Sequence, residues 1–115
     1  MTDLEQVEIQ IDMAQKLREM RDTCVKLTAS APWKDVIDNG YFKEEAARLV
    51  MAKSASLTSE QMQIIDNMQY GIGALANFIE SVMRRGAEMD QALNEHEETR
   101  EEILAEEVKV WLNLP

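Results

Sequence analysis

The residues able to do chemistry are few, and their spacing works against chemistry. The only histidine, His96, stands between Glu95 and Glu97. A helical carboxylate-bridged metal site needs an acidic residue three positions before its histidine. That position is Leu93, so His96 is expected to be a surface residue. The only cysteine, Cys24, has no histidine near it in sequence and reads as a buried, inert thiol. One cysteine builds neither an internal disulfide nor a thiolate metal site. Ser30, Ser54, Ser56 and Ser59 fall at predicted helix caps or connections, without the glycines of a nucleophile elbow. Gly71-Ile72-Gly73 is too short for a phosphate loop, and no strand precedes it. The acidic run near the C-terminus lacks calcium-loop spacing. Arg84-Arg85 can meet a phosphate or pair with Glu88 one turn on, and the pairing is the simpler reading. The chain is therefore predicted not to be an enzyme, with no catalytic, metal-binding or cofactor-binding residues.

What remains is contact chemistry. Trp33, Tyr41 and Phe42 are three of only six aromatic residues, and they lie within ten positions. Beside a glycine, such a cluster anchors a helical corner or forms a binding patch. Trp111 is different, because it follows the most strongly charged part of the chain. From Glu88 onward nine acidic residues face two basic ones, whereas the preceding 87 residues hold 13 against 10. The acidic run then gives way to Val108, Val110, Trp111, Leu112 and Leu114, which are the predicted partner-binding residues. Tryptophan flanked by leucine is typical of interface hot spots. Trp111 either folds back on its own core or inserts into a neighbouring chain. Val108, Val110, Leu112 and Leu114 also alternate as in an added strand.

The elements that carry these residues are predicted to be helices. Thr2-Asp3-Leu4-Glu5 matches a capping box. Leu4, Val7, Ile11, Ala14, Leu17, Met20, Cys24 and Leu27 follow at steps of three and four, so a first helix is expected over residues 3–28. Ile9, Met13 and Val25 lie off that stripe and suggest more than one packing neighbour. Pro32 breaks the pattern, and Ser30 is placed to cap a short helix through Trp33, Val36 and Ile37. Asn39-Gly40 is expected to end it with a left-handed glycine. A third helix then runs from Tyr41-Phe42, with Phe42, Ala46, Leu49 and Val50 on one face. Thr58-Ser59-Glu60-Gln61 is a second capping box, opening a helix from about residue 59 to at least 85. Gly71, Gly73, Ala74 and Ala76 form a small-residue patch within it. That patch either receives another helix or the aromatic turn, or is tolerated loose packing. Gly86 either ends this helix or lies inside a continuation, and a further acidic helix is expected over residues 88–107.

The fold class is thus all-α. Two long amphipathic helices pack antiparallel with a short helical corner between them, followed by an acidic C-terminal helix and an extended apolar tail. The expected division is a helical core domain over residues 1–87 and the acidic helix with its tail over 88–115. At 115 residues the core is modest, and self-association is a natural remedy. Eight methionines suit adaptable packing. The first 30 residues resemble neither a signal nor a transit peptide, and no apolar run reaches the roughly 20 residues that span a bilayer. A net charge of −10 disfavours direct contact with nucleic acid or an anionic membrane, and favours protein partners or nucleic-acid mimicry.

The stretch Asp35-Val36-Ile37-Asp38-Asn39-Gly40-Tyr41-Phe42-Lys43-Glu44-Glu45-Ala46-Ala47-Arg48-Leu49-Val50 resembles a recurring segment in small helical proteins of tailed bacteriophages. The likeness spans about residues 1–95, rests mainly on the Gly-Tyr-Phe-Lys turn, and carries over no catalytic or binding residues. It implies a viral, intracellular origin, in host cytoplasm or virion. Two functions are expected from these readings together. One is a non-enzymatic structural or assembly protein that forms homo-oligomers and docks on virion components. The other is a regulatory or counter-defence protein that blocks a host protein. It would do so by an acidic nucleic-acid-like face, by tail docking, or as an inter-subunit ligand sponge.

Overall fold

The computed structural model describes residues 2–113, and Leu114 of the predicted partner-binding set lies outside them. The described residues are all-α. Helix α1 spans Asp3–Ala29. A short turn of helix, α2, spans Ala31–Trp33 and runs into a π-helical segment, Lys34–Glu45. Helix α3 follows at Ala46–Ala52, and α4 runs unbroken over Ser59–Leu112.

The caps form as their residue types require. The Thr2 hydroxyl accepts from the Glu5 amide at 3.1 Å. At α4 the box is reciprocal: Thr58 accepts from the Gln61 amide at 3.1 Å, and Gln61 accepts from the Thr58 amide at 3.0 Å. Ser30 serves two helices. Its hydroxyl donates to the Leu27 carbonyl at 2.6 Å, closing α1, and accepts from the Trp33 amide at 3.3 Å, opening α2. Pro32 stands in that first turn, where no amide is needed.

The expected break at Asn39-Gly40 does not occur. Both residues lie inside the π-helical segment, and no glycine among the described residues has a positive φ. A π-helix bonds each residue to the fifth one on, so its turns are wider than those of an α-helix. The Trp33 indole follows the same step and donates to Asp38, five residues on, at 3.1 Å. The wide turn explains Gly40 differently, since a Cβ there would lie 3.3 Å from the Asp35 carbonyl oxygen.

The chain forms two compact units, each described by itself. The first comprises the residues up to Asp22 and those from Val82 onward. Here α1 runs antiparallel to α4: Arg21 meets Gly86 and Asp90, while Asp3 shares a groove with Ile103. Val7, Ile11, Ala14 and Leu93 form the buried cluster, with Leu4, Met89 and Ile103 against it. Burying a side chain such as Val7, Ile11 or Leu93 contributes about 1.5–3 kcal/mol. The second unit spans Thr23–Ser81. Its buried apolar side chains are Leu49, which is fully covered, and Cys24. Trp33, Tyr41 and Phe42 are half-buried, and the Tyr41 and Phe42 rings sit 5.9 Å apart. A Cβ on Gly71 would lie 3.5 Å from the Tyr41 hydroxyl, so the aromatic turn covers that glycine. Lys53 pairs with Asp66 at 2.7 Å, tying the end of α3 to α4.

Three further expectations differ from the structure. The predicted α1 stripe is buried at Val7, Ile11, Ala14 and Cys24 and half-buried at Leu4 and Leu17, but Met20 and Leu27 are 56% and 49% exposed. The steps Ala14–Leu17–Met20 are two successive threes. Each falls about 60° short of a full turn of 3.6 residues, so they carry the stripe round the helix. Arg18 and Arg21 occupy the packing face instead. Second, the acidic residues do not form a separate helix with an extended tail; they continue α4, and Val108–Leu112 are helical. The expected domain boundary at residues 87 and 88 therefore falls within α4. Third, His96 is half-buried, because it lies one turn beyond Leu93 on the side of α4 that faces α1.

Candidate functional site

The site is the C-terminal end of α4, held against the start of α1 within the first unit. Its geometry follows from how the two helices are fixed. Gly86 is buried, and a Cβ there would stand 2.1 Å from the Arg21 Cβ and 2.4 Å from its Cγ. The missing side chain lets the Arg21 stem lie across α4. The guanidinium then reaches Asp90, one turn on, through Nη1–Oδ2 at 2.9 Å and Nη2–Oδ1 at 3.1 Å. The Arg18 Nε lies 3.2 Å from the same carboxylate, and the Arg21 Nε donates to Asp22 at 2.7 Å. A two-pronged pair of this kind fixes both distance and register. The Arg21 hydrogen bonds hold the Asp90 carboxyl below the usual carboxylate range, and the contacts with Asp90 and Asp22 push the Arg21 pKa up.

Beyond this clamp, α4 carries the residues predicted to bind a partner. As a helix, Val108–Leu112 cannot present the alternating face that a strand would. Positions 104, 108, 111 and 112 fall on one side, at the i, i+4, i+7, i+8 spacing of a helical stripe. All four are exposed: Leu104 42%, Val108 56%, Trp111 76% and Leu112 78%. Val110, 61% exposed, turns to the other side. There it lines an open groove with Ile103, Trp111 and four acidic residues: Asp3 from α1, and Glu102, Glu106 and Glu107 from α4. Trp111 thus borders both the stripe and the groove, with its indole largely in water. Trp111 does not fold back on its own core. Leu104 belongs to the stripe although the sequence places it on the acidic helix and outside the predicted partner-binding set, because the residues beyond it are expected to be extended. The helical step of four from Leu104 to Val108 was the available signal.

The other candidate groups remain apart. Cys24 is buried in the second unit. The Arg84 Nε lies 4.0 Å from Glu88, at the outer limit of an ion pair. Among the described residues no group of three or more His, Cys, Asp or Glu side chains is placed to hold a metal ion. No helix among them is long and apolar enough to cross a membrane. What the C-terminal end of α4 can do chemically is bury apolar area beside negative charge. No family model, curated protein or solved structure matches the chain.

Proposed function

We propose that the chain is a non-enzymatic assembly protein that works by helix-mediated contact: it self-associates, and it docks on other components through the C-terminal stripe of α4. One observation carries this reading. Among the described residues seventeen large apolar side chains are exposed, whereas seven apolar residues are buried. Single exposed apolar residues are ordinary, but contiguous ones mark interaction surfaces. In the C-terminal stripe they are contiguous. The tailed-phage resemblance supplies the setting, a virion or its assembly intermediate, with capsid, portal or scaffold components as docking partners. A second reading, a regulator that blocks a basic host protein, is favoured only by the acidic residues around the Trp111 groove.

The test uses Trp111→Ala in the full chain. Folding stability should change by less than about 0.5 kcal/mol, as for an exposed residue outside any structural device. Affinity for the partner should fall by about 2 kcal/mol or more, as at an aromatic hot spot. Quantitative mass spectrometry of purified particles should find the wild-type chain at stoichiometric copy number and the variant depleted. A chain absent from both particles and assembly intermediates, yet bound tightly to one host protein, would replace the assembly reading with the regulatory one.

A further inference from the structure

The charge map of α4 points to a second surface, and the occupant it fits is another copy of this chain. Residues 61–79 contain one charged residue, Asp66, although 30% of the whole chain is charged. Lys53 neutralises it at 2.7 Å. No other stretch of the sequence is as long with so little charge. Helix faces turned to water normally carry charge. This one carries Ile64, Met68 and Phe78 at 58%, 43% and 57% exposure, with Leu75 half-buried between them. Positions 64, 68, 75 and 78 fit the alternating three-and-four steps of a helix-pairing seam, with Gly71 as the step between Met68 and Leu75 and the Tyr41 hydroxyl edging the seam there. The seam lies apart from Met62, Ile65, Ile72 and Ile79, which are half-buried about a quarter-turn round α4. In the second unit α4 therefore has one apolar stripe covered by its own chain and another that stays exposed at Ile64, Met68 and Phe78.

Electrostatics selects the occupant. Each copy carries a net charge of −10, so two copies repel over most approaches. Pairing along the acidic stretch beyond Glu88 would set like charges together. Pairing along residues 61–79 brings no unpaired charge to the contact. A twofold interface requires a surface compatible with itself, and an uncharged stripe meets that requirement in a strongly acidic protein. A basic partner would instead find its complement on the acidic half of α4. We infer that a second copy packs helix against helix along Ile64, Met68 and Phe78, leaving the Trp111 stripe free for a different partner. This inference rests on the contact-protein reading and names the surface and partner of its self-association.

Analytical ultracentrifugation of the full chain tests it, with circular dichroism as a check on folding. The wild type should sediment as a dimer or larger at micromolar concentration. Met68→Glu/Phe78→Glu should sediment as one chain with unchanged helicity, and Trp111→Glu/Leu112→Glu should keep the wild-type mass. Association should tighten as salt rises from about 0.05 M to about 0.5 M, because screening weakens repulsion between the copies. If the glutamate variant unfolds, Met68→Gln/Phe78→Gln serves in its place, with self-association weakened about tenfold or more. A wild type that stays a single chain at high micromolar concentration overturns the inference, as does a folded seam variant that keeps the wild-type mass. A single-chain wild type that still associates with particles leaves the contact-protein reading standing. One that associates with no partner defeats both.

Discussion

Gly86 does its work by having no side chain. The Arg21 stem occupies the space that a Cβ would need, and its β and γ carbons are too close to the backbone to swing aside. Gly86→Ala should therefore force the helices apart and destabilise the chain by about 1–3 kcal/mol, the usual range for overpacking. Gly73→Ala is the control. Nothing lies within 4 Å of a Cβ placed there, so relief of the glycine penalty should stabilise the chain by up to about 1 kcal/mol. Urea unfolding measures both, and equal effects would remove the special role given to Gly86. The Asp90 carboxylate adds a pH dependence. Its pKa is lowered in the folded chain by the Arg21 hydrogen bonds. A lowered carboxyl pKa adds stability that is present above the unfolded value, about 3.9 for aspartate. That stability is lost as pH falls through the depressed folded value. Asp90→Asn should thus unfold more easily than wild type at pH 7, with the difference closing in acid. Comparing the two proteins at each pH cancels the titration of all other carboxylates. A gap that persists where Asp90 is fully protonated would assign the effect to shape.

At the scale of one element, the acidic half of α4 opposes itself. Glu98 faces Glu101 and Glu102, and Glu102 faces Glu106, at the three- and four-residue spacings where side chains meet. Each such like pair costs about 0.2–0.5 kcal/mol in an exposed helix. Glu98 and Glu102 are exposed. Glu98→Gln/Glu102→Gln should therefore raise thermal stability slightly at low ionic strength, and added salt should reduce the gain. If the acidic face is the docking surface, the same change weakens partner binding. A fold-only role leaves binding intact. The like charges also explain why the sequence suggested a weaker, separate helix here. Local repulsion lowers the intrinsic tendency to form helix, but packing of Leu93 and Ile103 against α1 outweighs it and carries α4 through to Leu112.

At the scale of the whole molecule, two quantities pull against each other. Among the described residues seventeen large apolar side chains face solvent, while the net charge of the chain is −10. The first favours association and the second restrains it. Their distribution resolves the conflict, because the least charged stretch, residues 61–79, exposes Ile64, Met68 and Phe78, while the charge gathers from Glu88 onward. A chain organised this way can self-associate at one surface and keep a charged, apolar-edged surface for another partner.

Composition, periodicity and capping chemistry were enough to specify an all-α chain with helices opening after Thr2, Ser30 and Thr58. Those signals are local, since a hydroxyl and the amides it caps lie within one turn. The exposed aromatic and aliphatic residues of the C-terminus were also legible, because a charge run followed by an apolar segment needs no tertiary contact to be seen. Three matters were decided only in three dimensions. Gly40 sits within a π-helical turn instead of ending a helix, and there it faces the Asp35 carbonyl five residues back, a proximity that only the wide turn creates. Arg18 and Arg21 take the face that the apolar stripe was expected to hold, because Asp90 and Gly86 are in reach only after α1 and α4 pair. The C-terminal apolar residues form a helical stripe in place of a strand-like tail. Val108, Val110 and Leu112 alternate as in a strand while Leu104, Val108, Trp111 and Leu112 follow helical steps, and the continuation of α4 through Leu112 selects the helix.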